Sequence, residues 1–326
     1  MENRVTKDFL SFMSWNVYLG ADFTSILTTT PTKLPQVVTD VFRQFLATSL
    51  PARVKEIARQ ILFKTPDIIG LQEVVQWQLV APHSQPVTYD FIELLLNELK
   101  KRGLNYEVAA VNSNFSIELP TSHGNLVRFM DRDAILVRKR LSFTIMQRKE
   151  TNFRNNLVLK IGGQPVEVIR GWSFIDIKVN ERTLRVINTH LEPVSSLIQV
   201  AQGNELLKGP AQTLLPVIIL GDFNSKADGS GTLTYRNFIH AGFHDVWAEV
   251  GNGPGYTCCQ DPDLLNATSS LNKRIDYIFY KNGWKPNVSI LVGEEQDDRT
   301  PTALWPSDHA GVYAILFFKE MPNDEG

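Results

Sequence analysis

Six times along this chain a run of apolar residues ends in a carboxylate, an amide or an imidazole. Ser14-Trp15 leads into Asn16, and Ile68-Ile69-Gly70-Leu71 leads into Gln72-Glu73. Val186-Ile187 runs into Asn188-Thr189-His190, and Val217-Ile218-Ile219-Leu220 into Gly221-Asp222-Phe223-Asn224. Nearer the C-terminus stand Arg274-Ile275-Asp276-Tyr277 and Ser307-Asp308-His309. One polar strand end is ordinary, because strands must stop. A charged group at the rim of an apolar core is costly unless it is paired or holds a metal. Six ends drawn from Asn, Glu, Asp and His are better explained by convergence on one site. Carboxylate and amide oxygens suit the hard cations Mg²⁺ and Mn²⁺, which take oxygen ligands and keep several waters. Asp222 and Asn224 are two apart at a strand end, so their side chains emerge on the same side.

The elements that must position these groups alternate short β-rich runs with amphipathic helical stretches. Strand character is expected at Phe9–Val17, Asp67–Leu71, Tyr106–Val111, Asp133–Val137 and Val166–Ile169. It is expected again at Ser173–Val179, Thr183–Asn188, Val217–Leu220, Ile275–Tyr280 and Val312–Phe318. Helices are expected over Pro51–Lys64, Tyr89–Lys101 and Gln199–Leu207; in the first, proline stands at a plausible first-turn position and Val54, Ile57, Ala58 and Ile61 fall at helical spacing. Gly20–Lys33 and Gly251–Lys273 read as long irregular segments, and loops of such length are more often functional than idle. Many strands with a few helices suggest two packed sheets flanked by helices.

Asn16, Gln72-Glu73, Thr189-His190, Gly221-Asp222-Phe223-Asn224, Arg274-Ile275-Asp276-Tyr277 and Ser307-Asp308-His309, in that order, resemble the motif series of the endonuclease/exonuclease/phosphatase superfamily, the deoxyribonuclease I-like fold. A lone Gly-Asp-Phe-Asn would be weak; the full ordered set across residues 16 to 309 is specific. The resemblance implies an α+β fold: one domain over residues 1–326, a four-layer α/β/β/α sandwich with two face-to-face, mostly antiparallel sheets. It implies hydrolysis of a phosphoester by a metal-assisted water, with Mg²⁺ as cofactor and Mn²⁺ as a substitute. Glu73 would be the leading metal ligand, with Asn16 beside it and Asp308 completing the environment. Asp276 would orient His309, for which two roles stay open: general base, or cation at the transition state. Asp222 is the alternative base; with Asn224 it would hold the attacking water and a phosphate oxygen, and His190 would donate to a nonbridging oxygen. Arg274 would bind substrate phosphate or merely pair with a carboxylate. Asp131 and Asp133 are candidate acidic partners for His190.

Composition narrows the rest. The chain has 326 residues, 43% of them hydrophobic, enough for one large core. With 33 basic and 35 acidic residues the net charge is −2, which lowers the expectation of tight, sequence-independent nucleic-acid binding without forbidding a nuclease. A nuclease is nevertheless the broad expectation, with a lipid phosphodiesterase second and a phosphomonoesterase third. The second draws on the near-neutral charge and on the apolar segment Val37–Leu50, whose stripe is more often core than membrane-facing. The Trp-Cys-Asp-Arg signature typical of inositol-polyphosphate 5-phosphatases is absent at Lys273–Tyr277, which disfavours that group. The segments Asn16–Asp22 and Gly255–Gln260 look like a bacterial subgroup. A catalytically silent binding module is disfavoured because every motif residue is intact. No apolar leader precedes Phe9 and no run is long enough to span a bilayer, so a cytoplasmic location is expected. Cys258 and Cys259 are adjacent, and the Cα spacing of about 3.8 Å across a trans peptide is too short for an ordinary disulfide, so packing residues are expected.

Overall fold

The computed structural model describes residues 8–139 and 143–319; the N-terminal stretch Met1–Lys7, read above for a leader, lies outside them. Two mixed sheets lie face to face with helices on their outer sides, an α+β sandwich. In the first sheet the strands run Trp284–Val292, Gly311–Phe318, Phe9–Asn16, Ile68–Gln72, Leu126–Arg138, Gln76–Val80 and Val87–Asp90, with Tyr106–Pro120 paired along Leu126–Arg138. In the second they run His244–Asp245, Asp276–Lys281, Val217–Asp222, Arg182–His190, Gly171–Val179 and Phe143–Asn152. Each sheet has one parallel pair among the described residues, Phe9–Asn16 with Ile68–Gln72 and Arg182–His190 with Val217–Asp222. All other pairings are antiparallel.

Strand alternation sorts the apolar side chains into three layers. In the first strand Leu10 and Phe12 face the second sheet, while Met13 and Trp15 face the helices. The inter-sheet layer sets Ile135 and Val137 against Ile175, Val186, Ile218 and Ile278. Each fully buried Leu, Ile or Phe in such a layer contributes about 1.5–3 kcal/mol. Helices Leu34–Ala47, Leu50–Lys64 and Phe91–Lys101 cover the first sheet; Ser196–Lys208 and Thr234–His240 cover the second through Leu206 and Phe238. The apolar segment Val37–Leu50 is therefore mostly helix, and its stripe of Val38, Val41, Phe42 and Phe45 is buried. Among the described residues no helix is long and apolar enough to cross a membrane.

The structure departs from the sequence reading where period two breaks down. Expected runs at Tyr106–Val111 and Asp133–Val137 are the ends of a long hairpin, Tyr106–Pro120 with Leu126–Arg138. Register shifts between Val108 and Ala110 and between Ser113 and Ser116 scramble the alternation that would have marked it. Phe143–Asn152 is largely exposed and so carries no apolar run. The run expected at Val166–Ile169 is Gln164–Val168, which forms a separate two-stranded hairpin with Leu157–Ile161. Gly20–Lys33 holds one short helix, Thr24–Thr28, whereas Gly251–Lys273 has two isolated bridges, from Cys258 to Lys273 and to His309.

Candidate active site

At one rim of the sandwich the polar strand ends fall into rows. His190 is in register with Asp222, and Asp222 with Asp276, so three of them lie side by side on adjacent strands of the second sheet. From the facing sheet, Asn16 is in register with Gln72. Glu73 follows with φ of 62°, a left-handed turn at the strand end, and Asp308-His309 precedes Gly311–Phe318. Behind the rim the sheets approach closely at Gly70, where a Cβ would lie 2.6 Å from Asn188 Oδ1 and 2.7 Å from Leu220 Cβ. Asn188 fills the gap, donating to the Leu71 and Ala134 carbonyls at 3.0 and 3.1 Å and accepting from Gln72 Nε2 at 2.7 Å. That buried amide fixes one sheet rim against the other.

Asp222 stands at the centre. Its Oδ1 accepts from the Asn224 amide at 2.8 Å and its Oδ2 from Asn16 Nδ2 at 3.1 Å. The same Oδ2 lies 3.5 Å from His190 Nε2 and 3.9 Å from His309 Nε2. His309 Nδ1 is 2.9 Å from Asp276 Oδ2. Asn224 Nδ2 donates to the Leu191 carbonyl at 3.0 Å and lies 3.2 Å from His190 Nε2. Glu73 Oε2 accepts from the Leu19 amide at 2.7 Å, and Oε1 sits 4.0 Å from His190 Nδ1. Asp308 accepts from Ser307 Oγ at 3.4 Å, and its charge acts on Glu73. The structure thus gathers Asn16, Glu73, His190, Asp222, Asn224, Asp276, Asp308 and His309. Arg274 is not in that network. It is ion-paired with buried Asp245 and lies 5.4 Å from the Tyr277 ring centre, so carboxylate pairing is what its guanidinium does.

Crowding of carboxylates sets the electrostatics. Burial, and then the charge of Asp308, pushes Glu73 up to about 8. Burial and the charge of Asp276 push Asp222 up to about 7, and burial raises Asp308. The two imidazoles part company. Burial opposes charge on His309, yet the carboxylates of Asp276 and Asp308 hold its value well above the ordinary one. Burial and the neighbouring Arg170 cation hold His190 well below it. Buried carboxylates with too few cations suit a divalent ion, and oxygens of Glu73, Asp308 and Asn16 could hold one. Asp222, Asp276 and His309 also bring ligand atoms within 4.8 Å of one another. In that second group Asp276 Oδ2 is already engaged by His309, whereas Glu73 Oε1 makes no hydrogen bond.

Several contributors escape the motif reading. Arg170 NH1 lies 2.9 Å from His190 Nδ1 and 3.2 Å from Asp131 Oδ2, so the acidic group reaches His190 through an arginine. Since arginine only donates, the neutral His190 accepts at Nδ1 and carries its proton on Nε2, toward Asp222 Oδ2 at 3.5 Å. The nearby Asn224 Nδ2, itself a donor, is therefore a contact rather than a hydrogen bond to the ring. Asp133 instead accepts from the Glu73 amide at 3.3 Å and from Asn114 Nδ2 at 2.8 Å. Arg53, fully buried, donates to the carbonyls of Thr48, Val17, Pro306 and Tyr18 and ties together the segments that carry Asn16 and Asp308. Its signal was present: an arginine on the apolar stripe of Leu50, Val54, Ile57 and Ile61. Cys258 and Cys259 correct an expectation. The peptide between them is cis rather than trans, their Cα atoms are 3.1 Å apart, and they form a vicinal disulfide beside His309, so they are not free packing thiols.

The chain's similarity to known proteins agrees with this geometry. Residues 13–309 match the model of the Endonuclease/Exonuclease/phosphatase family. An endonuclease/exonuclease/phosphatase family protein from Bacteroides thetaiotaomicron has a similar structure at 17% identity and a TM-score of 0.59, covering 98% of both chains. A humanized D. rerio TDP2 is similar at 19% identity and a TM-score of 0.57, over 95% of this chain and 99% of that one. A mannosyl-6-phosphatase from Bacteroides thetaiotaomicron is similar at 17% identity and a TM-score of 0.56, over 95% and 100%. No curated protein matches in sequence. With the family model running from the first strand to His309, the chain belongs to the Endonuclease/Exonuclease/phosphatase family, whose members hydrolyse phosphoester bonds.

Proposed function

We propose that this protein is a divalent-metal-dependent phosphodiesterase in which Asp222 activates the attacking water. The observation that carries the reading is the position of Asp222 Oδ2 between two imidazoles, one biased toward the neutral form and the other toward the cation. Glu73, Asp308 and Asn16 would hold Mg²⁺ or Mn²⁺, which when bound polarises phosphoryl oxygens and supports the leaving oxygen. Asp222, raised to about 7, is a carboxylate basic enough to take a proton from water near neutral pH. The Asn224 amide and Asn16 Nδ2 fix its two oxygens.

His309 keeps its proton because Asp276 holds Nδ1, which leaves Nε2–H to meet charge growing on the phosphoryl oxygens. That favours the cation role for His309 over the base role. His190 stays neutral and offers Nε2–H to the same developing charge, its tautomer set by Arg170. No side chain is required as nucleophile: the water oxygen bonds to phosphorus as the ester P–O bond breaks, its proton passes to Asp222, and the departing alkoxide takes a proton from solvent.

Hydrolysis of bis(p-nitrophenyl) phosphate with Mg²⁺, with Mn²⁺ and with chelator tests the reading. Turnover that depends on the metal and disappears in His309→Ala supports it. Undiminished hydrolysis after thorough metal removal refutes it.

A further inference from the structure

Beside the rim, sharing neighbours with it, lies a cleft of about 200 Å³ whose walls are almost wholly apolar. Phe23 and Leu27 supply one wall from the segment Gly20–Lys33. Phe129 supplies another from the long hairpin, and Leu157, Leu159 and Val168 a third from the small one. Cleft and rim share residues. Leu19 lines the cleft while its amide holds Glu73, and Arg170 lines it while NH1 holds His190. The floor is polar and unfinished. Asp131 Oδ1, Arg170 Nε and Glu192 Oε2 all face no hydrogen-bond partner, although their residues are only 4%, 9% and 1% exposed. Buried polar atoms are ordinarily satisfied, so three orphans lining one cleft call for an occupant with polar atoms of its own at that depth.

We propose that this cleft binds the esterifying group of the substrate, and that this group is an apolar chain with a polar atom close to its phosphate: an amphiphilic phosphodiester. The proposal rests on the phosphodiesterase reading of the adjoining rim and names its substrate class. A nucleic acid is a poor fit here. Polyanion binding needs cations free to contact phosphates. Among the described residues lining the cleft the one cation is Arg170, whose NH1 is committed to Asp131 and His190, leaving Nε–H unpartnered at the floor. Aliphatic walls, by contrast, reward each methylene taken out of water by about fourfold in binding. Val194, at the mouth, is 68% exposed and continues the apolar surface outward for a chain longer than the cleft.

The test uses methyl, butyl and octyl esters of p-nitrophenyl phosphate, each below its micelle concentration with Mg²⁺, beside the p-nitrophenyl ester of thymidine 5′-phosphate. The expected kcat/KM rises with chain length, by at least about a hundredfold from methyl to octyl, and octyl exceeds the nucleotide ester. Leu27→Trp, which narrows the cleft, and Leu159→Asp, which wets it, should each reduce the octyl-to-methyl ratio at least tenfold. A flat series in the wild-type protein, or a nucleotide ester turned over faster than octyl, overturns the proposal and leaves the phosphodiesterase reading standing. Absence of hydrolysis with every ester and metal sinks the phosphodiesterase reading instead. The cleft is then judged by calorimetric binding of octyl phosphate against methyl phosphate: preference for octyl sustains the apolar site, and equal affinity ends it.

Discussion

The catalytic rim and the apolar cleft meet at Arg170, yet they are built by opposite means. The rim consists of strand ends locked in register: His190, Asp222 and Asp276 sit in one row because backbone pairing puts them there. The cleft is assembled from excursions that leave the sandwich, namely the segment around Phe23 and Leu27 and the hairpin Leu157–Val168. Register tolerates little change, because a one-residue slip would turn the whole row away from the site. Excursions can vary in length and sequence while the sheets stay intact. On the proposed reading, chemistry sits on the rigid part of the molecule and substrate choice on the adaptable part.

The largest effect that would break this division is loss of the carboxylate proposed to hold the metal. Glu73→Gln, or thorough chelation of the wild-type protein, should lower kcat by about a thousandfold or more, while octyl phosphate still binds the cleft. Simultaneous loss of both in Glu73→Gln would show that the two regions are one unit. Asp276→Asn should lower kcat by about a hundredfold, since it removes the carboxylate that orients and charges His309. Its pH profile carries a second reading. If the protonated imidazole is the working form, then because Asp276 raises its pKa the alkaline limb of kcat/KM should move to lower pH in the variant. An unshifted limb would remove His309 from the cation role.

Effects on the scaffold come next. Arg53→Ala strands four buried carbonyls and should destabilise the fold by about 3 kcal/mol or more in urea unfolding. Activity should suffer with it, because Arg53 ties Val17 to Pro306. Asp133 gives a smaller, pH-dependent signature. Burial, then the charge of Asp131, pushes it up to about 8, so between its unfolded value near 4 and that value the folded state binds the extra proton. Its contribution to stability is therefore lost as pH rises through that window, with a slope of at most about 1.4 kcal/mol per pH unit. Asp133→Asn should flatten the slope in denaturation measured from pH 4 to 8; an unchanged slope would assign it to other groups. At the small end, Arg43→Ala breaks an exposed i,i+3 pair with Asp40 and should change stability by less than about 0.5 kcal/mol.

Much of the rim was legible in the sequence because each of its residues directly follows or precedes an apolar run. Asn16, Glu73, His190, Asp222 and Asp308 advertise themselves by that contrast. Arg170 did not: it precedes the strand Gly171–Val179, and nothing local says that its guanidinium turns toward His190. Arg274 stood in the motif series but found a buried carboxylate, Asp245, before any substrate phosphate. Of the fold, the central strands were readable from their uniform burial. The long hairpin Tyr106–Pro120 with Leu126–Arg138 was readable only at its ends, because register shifts erase period two.

What the sequence determined by itself was the set of chemical groups and their attachment to strand ends, since hydrophobic patterning dictates where strands stop and which polar residues stop them. Tertiary structure decided which of those groups face one another, with what charge, and beside which apolar surface. Those outcomes depend on contacts between residues far apart in the chain, such as Arg170 with His190 and Asn16 with Asp222. Burial in that packed rim is what raises Asp222, while the carboxylates of Asp276 and Asp308 raise His309 against burial, and no local spacing encodes either.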